Sequence, residues 1–387
     1  MDRRDFAKRI VAPLVVPASV FGANDRPAYA AIGTGGRGTW LHETFQKLGA
    51  QCVAVCDVYQ PHCERAASVA PRGVKQTADH REVLAMPGLD FVIIATPDHH
   101  HKPQLLDALA AGKDVYLEKP FSMNLAESAE MVTAVERSGR LVQVGMQRRS
   151  MPFIYQAKKV IDDGGLGKVS LVKANWNWHF DIPLVDDPLP GNLDWERFQG
   201  PAPRREFMPR RFRWWRGFWD YSGGNMTDQG THLMDVVQWM TGNGAPKSAV
   251  CQGYLCDAVK GEVPDVFSAV FEYPKMMATW TLNYTSAFDY DWSITFMGDR
   301  ATMVMNRHGY ALYKDPGASR APWSQKEEMT VSARVEDRDS ANLHQKNFLD
   351  CLRTRQQPNC TAAIAARAVA GPHMANVAWR EGRKVSA

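Results

Sequence analysis

Residues 30–40 read AAIGTGGRGTW, and within them Gly33, Gly35 and Gly38 stand in the spacing G-x-G-x-x-G. Three glycines alone occur in many turns; what constrains the fold is their setting. The apolar run PAYAAIG precedes them, GTWLHETFQKLG follows with helical character, and a second apolar run, QCVAVC, leads to Asp57. That acid lies about 20 residues past the last glycine, the separation at which a carboxylate meets ribose hydroxyls. In such a strand-turn-helix unit the first glycine permits the turn and the second lets the backbone approach a pyrophosphate. The third brings the helix close to the strand, with its first amides facing the phosphates. Gly33, Thr34, Gly35, Gly36, Arg37 and Gly38 are thus the expected phosphate loop and Asp57 the ribose ligand. A carboxylate at Asp57 repels a 2′-phosphate, so NAD is expected; the neighbouring Arg37 guanidinium keeps NADP open.

The alternation continues through GLDFVIIATP, HKPQLLDALAAGK, DVYLEKP, SMNLAESAEMVTAVERSG and RLVQVGMQRR. Apolar strands separated by helices predict a parallel sheet covered on both faces, here an α/β doubly wound Rossmann-type domain over residues 27–149. Beyond DDGGLGK the period becomes two. In MMATWTLNYT, Ala278, Trp280, Leu282 and Tyr284 share one face and Thr279, Thr281 and Asn283 the other. SAVCQGYLC, DVFSAVFEY, WSITFMG and ATMVMN read alike, which predicts an α+β domain over residues 150–387 built on a large, mostly antiparallel open sheet. Its free face is expected to bind substrate or a second copy, giving a homo-oligomer.

The 387 residues suffice for two such domains, and 45% apolar with 23% charged residues is ordinary globular composition. The net charge of +4 is dispersed along the chain and gives no reason to expect nucleic acid. Seven cysteines form no C-x-x-C pair; those in CVAVCD read as buried thiols. At the N-terminus, MDRRDFAKRIVAPLVVPASVFGAN sets Arg3 and Arg4 before a mildly apolar stretch, Ile10 to Gly22, too short to span a bilayer. It resembles a twin-arginine export signal, the alternative being a basic N-terminal arm. Residues 1–26 are therefore expected to direct export to the periplasm without stable membrane insertion.

The glycine loop, ATPDHHH, the EKP of VYLEKPFS, GMQRR and the D-x-G-x-H-x-x-D of Asp228, Gly230, His232 and Asp235 together make the chain resemble the Gfo/Idh/MocA oxidoreductases. That is the family of glucose-fructose oxidoreductase and inositol dehydrogenase, and the resemblance covers nearly the whole chain. It implies that Thr96, Pro97, His101, Glu118 and Lys119 contact the cofactor, with His101 on the nicotinamide side. It implies that Lys119, Arg148, Asp228, His232 and Trp219 contact the substrate, and that Lys119, His232 and Asp228 are catalytic.

The residues themselves are compatible with those roles. Lys119 closes an apolar strand, and ligands of open α/β sheets bind outside the carboxyl ends of strands. Its ammonium is suited to a substrate hydroxyl and, in the family pattern, favours an alkoxide-like state; the alternative is a surface salt bridge with Glu118. If MTDQGTHLMDVVQW is helical, Asp228, His232 and Asp235 share a face. A neighbouring carboxylate is then expected to orient the imidazole and raise its basicity. A capping aspartate beside a core histidine is the alternative; no metal is expected, because further ligands do not cluster nearby and consecutive His99, His100 and His101 point in different directions. The Arg- and Trp-rich stretch RREFMPRRFRWWRGFWDY reads as a cleft wall or an interface.

The resemblance implies a nicotinamide-dependent oxidoreductase acting on a hydroxyl of a sugar, glycoside or cyclitol. Export adds that the cofactor is tightly held and recycled. Two alternatives stand beside it. An NAD-dependent glycoside hydrolase would use transient oxidation and elimination; the intact Glu118-Lys119-Pro120 tilts away from it. A non-catalytic NAD-binding scaffold would not need Lys119, Asp228 and His232.

Overall fold

The computed structural model describes residues 26–180, 186–256, 260–315, 317, 329–334 and 342–387. The expected export segment falls, but for Arg26, outside them. In the first domain six strands run parallel: β1 (Ala28–Ile32), β2 (Gln51–Cys56), β3 (Lys75–Thr77), β4 (Phe91–Ile94), β5 (Asp114–Leu117) and β6 (Val142–Val144). Their order is β3-β2-β1-β4-β5-β6. Helices lie on both faces, which is why the central strands β1 and β4 are apolar along their whole length, whereas the edge strand β3, Lys-Gln-Thr, is not. All four side chains of β4 are fully buried, each contributing about 1.5–3 kcal/mol by leaving water. The order reverses between β1 and β4, and the loops leaving these two strands diverge there to open a crevice.

The second sheet has nine strands. They are β7 (Val169–Asn177), β8 (Ser248–Tyr254), β9 (Val266–Glu272), β10 (Met277–Asn283), β11 (Asp291–Gly298), β12 (Ala301–Asn306), β13 (Gly309–Lys314), β14 (Met329–Arg334) and β15 (Val385–Ser386). The order is β14-β13-β12-β11-β7-β10-β9-β8-β15, antiparallel except for the parallel pair β7 and β10. The expected alternation holds on β10, where Ala278, Trp280 and Leu282 are fully buried and Met277 is exposed. The inner face packs against the helices Gly230–Thr241 and Ala362–Glu381.

The last two long helices lie C-terminal to the expected boundary after residue 149, yet they pack on the first domain as well. Phe348 and Leu349, from the helix Asn342–Thr354, join the apolar cluster around Phe45 and Phe91. Ala365, Ala368 and Val369, from Ala362–Glu381, join the one around Val92 and Leu117. The chain thus returns to brace the domain it began with.

Candidate functional site

The crevice at the ends of β1 and β4 is shaped by glycine. Gly33 has φ +81°, and a Cβ there would lie 2.6 Å from the Thr96 nitrogen. At Gly38 a Cβ would stand 1.8 Å from the Gly33 carbonyl oxygen, so the helix Gly36–Lys47 can approach β1 only without one. Gly35 and Gly36 line the open space instead; a Cβ on Gly36 meets nothing within 4 Å. Room beside two glycines at a helix start is what a pyrophosphate requires. Asp57 lines the same space. Its Oδ2 accepts from the Thr34 amide (2.7 Å) and hydroxyl (3.2 Å), and its Oδ1 from the Tyr59 amide (2.9 Å). Thr34 is fully buried and holds Asp57 in place rather than facing the crevice. Arg37, the residue that kept NADP open, donates from Nε to Glu118 Oε1 at 2.7 Å and lies 4.3 Å from the Trp40 ring centre. The donors and spaces present fit a dinucleotide.

The cleft holds about 1090 Å³ and has two origins. One wall is the first domain: Gly33, Gly35, Gly36, Asp57, Thr96 and Pro97. The other comes from residues 189–216, including Pro190, Phe198, Phe212 and Arg216. This strap is fastened by backbone. Gln60 N donates to Asn192 O and Asp194 N to Val58 O, both at 2.9 Å, and the Tyr59 hydroxyl donates to Pro190 O at 2.6 Å. His99 and His100 both present Nε2 to the Phe198 carbonyl, at 2.7 and 2.8 Å. Phe212 packs edge-on against Tyr59, with ring centres 5.0 Å apart. The Arg- and Trp-rich stretch therefore contributes a cleft wall.

His101 departs from its expected place. It is 1% exposed, with Nδ1 2.7 Å from Pro120 O and Nε2 3.0 Å from Thr96 O. Buried between two strand-end loops, it ties them together and does not line the cleft. Trp219 departs further. Its Nε1 donates to Glu262 O at 2.9 Å, and its ring lies against Trp379 and Arg380. An indole whose one donor is already taken by a loop carbonyl packs as structure; Trp219 is not part of the cleft wall.

Lys119 and Asp228 do meet, from different domains. The Lys119 ammonium donates to Asp228 Oδ1 at 2.6 Å and to its backbone oxygen at 3.1 Å. Glu118 is not its partner, being paired with Arg37. Arg216, which sequence reasoning did not single out, donates from Nε to the same Asp228 oxygen at 3.2 Å. Burial alone pushes Asp228 upward; Lys119 and Arg216 outweigh it and bring the carboxyl to about 2.

His232 is nearby but lacks its expected carboxylate. Asp228 is engaged by Lys119 and Arg216, and Asp235 accepts from Arg149 Nε at 2.7 and 2.9 Å. Full positive charges compete for these carboxylates better than an imidazole does. His232 Nδ1 is buried without a hydrogen-bond partner. Burial, then the cations Arg148, Lys119 and Arg37, push its pKa well below the usual range. The expected rise in basicity is therefore reversed, and His232 is neutral at physiological pH.

Asp98 is the second group that the sequence did not mark. It is 1% exposed, its Oδ2 accepts from the Ser222 hydroxyl at 2.7 Å, and its Oδ1 is buried without a partner. Burial, then the Asp228 charge, raise it to about 7 against the pull of Arg216, Ser222 and Lys119. Between about pH 4 and 7 the folded protein keeps a proton that an unfolded carboxyl has released, so this group makes stability fall as pH rises through that window. Asp98→Asn preserves the acceptor for Ser222 and removes the buried charge. It is expected to stabilise the fold by on the order of 3 kcal/mol at pH 8 and by little at pH 4. Chemical denaturation at both pH values checks this; equal effects at the two would defeat it.

Comparison with known proteins agrees with this architecture. Residues 28–146 match the model of the oxidoreductase family with an NAD-binding Rossmann fold, and residues 154–304 match the Gfo/Idh/MocA C-terminal domain. An oxidoreductase of Bacillus subtilis, YrbE, is 23% identical over 74% of this chain and 74% of its own. The scyllo-inositol 2-dehydrogenase (NAD(+)) of the same organism is 31% identical over 50% of this chain, and only 47% of its own length is matched. The crystal structure of aldose-aldose oxidoreductase from Caulobacter crescentus superposes with a TM-score of 0.70 at 18% identity, covering 94% of this chain and 100% of that one. With its NAD-binding domain and its C-terminal domain both matched, this chain belongs to the Gfo/Idh/MocA oxidoreductase family.

Proposed function

We propose that the protein oxidises a hydroxyl of a sugar, glycoside or cyclitol to the carbonyl. The observation that carries this is the Lys119–Asp228 contact, which sets an ammonium from the strand-end loop of the NAD-binding domain against the helix pair of the second domain. NAD, when bound, supplies the hydride acceptor. The remaining chemistry belongs to side chains of this chain. Asp228 fixes the Lys119 ammonium, which donates to the substrate oxygen and stabilises the negative charge developing there. His232, held neutral, offers an acceptor nitrogen for the hydroxyl proton. Arg216 keeps Asp228 ionised throughout, so the proton is not diverted to that carboxylate.

The same proposal includes a cofactor that stays bound and is re-formed by a second carbonyl substrate. The strap over the cleft supports it, as does the export reading of Arg3 and Arg4, because free NAD is not expected to be maintained outside the cytoplasm. Assembly with a second copy through the outer face of the nine-stranded sheet, which no described helix covers, belongs to the reading too; Val250 and Met277 are exposed on that face. Protein purified from the periplasmic fraction and denatured should release about one NAD per chain. Its cofactor should be reduced by one sugar and reoxidised by a second carbonyl compound. A stable nucleotide-free protein would remove the retained-cofactor reading. Release of aglycone from a glycoside, with no exchange between sugars, would replace the oxidoreductase by the hydrolase.

A further inference from the structure

Arg148 follows β6, at the junction of the domains, and is 8% exposed. Its guanidinium carbon lies 4.4 Å from the Trp292 ring centre and 5.4 Å from that of Trp176. Among the described residues it makes no ion pair. The carboxylates whose charge it feels, Asp291 and Asp235, are paired with Arg307 and Arg149. Its Nε is buried without a hydrogen-bond partner. The two terminal nitrogens also have no partner among the described residues, but they are not sealed in. Burial lowers its pKa to about 10, so it stays charged at neutral pH. Holding a guanidinium in this state is costly without a counter-charge. Indole faces offset part of that cost but leave the charge unneutralised.

The same charge acts on the reaction centre, since Arg148 and Lys119 both depress His232. Around that imidazole the acids are already committed. Glu118 is paired with Arg37, Asp235 with Arg149, and Asp228 is shared by Lys119 and Arg216. Two positive charges remain, one from the Lys119 and Arg216 pair and one on Arg148. Asp98, buried and half protonated near neutrality, offsets only part of this.

We infer that the substrate is a sugar acid, whose carboxylate seats on Arg148 while the hydroxyl to be oxidised lies between Lys119 and His232. This rests on the oxidoreductase reading and names its substrate class. A planar guanidinium takes a carboxylate through two parallel hydrogen bonds, and the ligand supplies the missing counter-charge. A neutral polyol supplies none.

The test uses the wild-type, nucleotide-loaded protein. D-glucuronate, D-galacturonate and D-mannuronate are each compared with the corresponding uronamide, by calorimetric binding and by reduction of the bound cofactor. At least one acid should bind about 30-fold more tightly than its amide, the advantage shrinking as sodium chloride is raised. Arg148→Met should abolish the preference and Arg148→Lys should retain part of it. The acid and amide comparison stands without either variant, should they fold poorly. Acids and amides binding alike in all three pairs overturns the inference. If neutral sugars then reduce the cofactor, the oxidoreductase reading survives that loss. Preferential binding of an acid with no cofactor reduction by any sugar keeps the anion site and removes the oxidoreductase reading instead.

Discussion

In the Lys119→Ala variant, turnover falls by about 10³-fold while the nucleotide stays in the cleft. The two effects separate because Lys119 contacts Asp228 twice, whereas the phosphate loop and Asp57 are organised without it. Removing the ammonium leaves the substrate oxygen without its charged donor. Asp228 keeps Arg216 and therefore stays ionised. The fold loses one buried ion pair, so some loss of stability accompanies the loss of activity. Single-turnover reduction of the bound cofactor and nucleotide content after denaturation measure the two effects independently. Undiminished turnover on a confirmed substrate would end the assignment of Lys119.

Gly38→Ala should cost the fold more than about 3 kcal/mol and release the nucleotide. The new methyl carbon would occupy a point 1.8 Å from the Gly33 carbonyl oxygen. That oxygen belongs to backbone and has no rotamer by which to escape. The helix Gly36–Lys47 would have to move off β1, and the amides at its start would leave the phosphate position with it. Gly36→Ala is the control, because its methyl carbon meets nothing within 4 Å. Thermal unfolding of the two variants side by side checks the argument. Similar melting temperatures would show that the close approach of helix and strand is dispensable.

The first domain was legible because its signals are local. A glycine spacing, an acid at fixed separation and a run such as Phe91–Ile94 each refer to neighbours in sequence, and each found its place. The period-two faces of β8 to β12 were legible for the same reason. The strand β7 was not anticipated, although Val172, Ala174 and Trp176 alternate with Lys173, Asn175 and Asn177. Its indoles and amides diluted the apolar contrast.

Charge pairing was the least legible part. Arg148 and Arg149 are adjacent in sequence, but one lies against two indoles and the other forks onto Asp235. Nothing in GMQRR says which does which. His232 stands four residues from Asp228 and three from Asp235, a spacing that promised a carboxylate partner. Cations from Lys119 and Arg149, remote in sequence, and from Arg216, outside the helix pair, reached those acids first. Likewise, the contacts of Trp219 with Glu262 and of Asp98 with Ser222 join residues more than 40 positions apart. No periodicity records such meetings.

The strap across the cleft also bears on how the loaded molecule comes into being. Residues 189–216 belong to the second domain in sequence and are synthesised after the phosphate loop and Asp57. Their backbone bonds to Val58 and Gln60, and the two histidines on the Phe198 carbonyl, form only when that later segment docks. If the docked segment closes over a bound dinucleotide, exchange requires that one stretch of chain to open, and its rate reports the opening of the strap as well as the contacts made to the nucleotide. In that case cofactor loading is a step of folding.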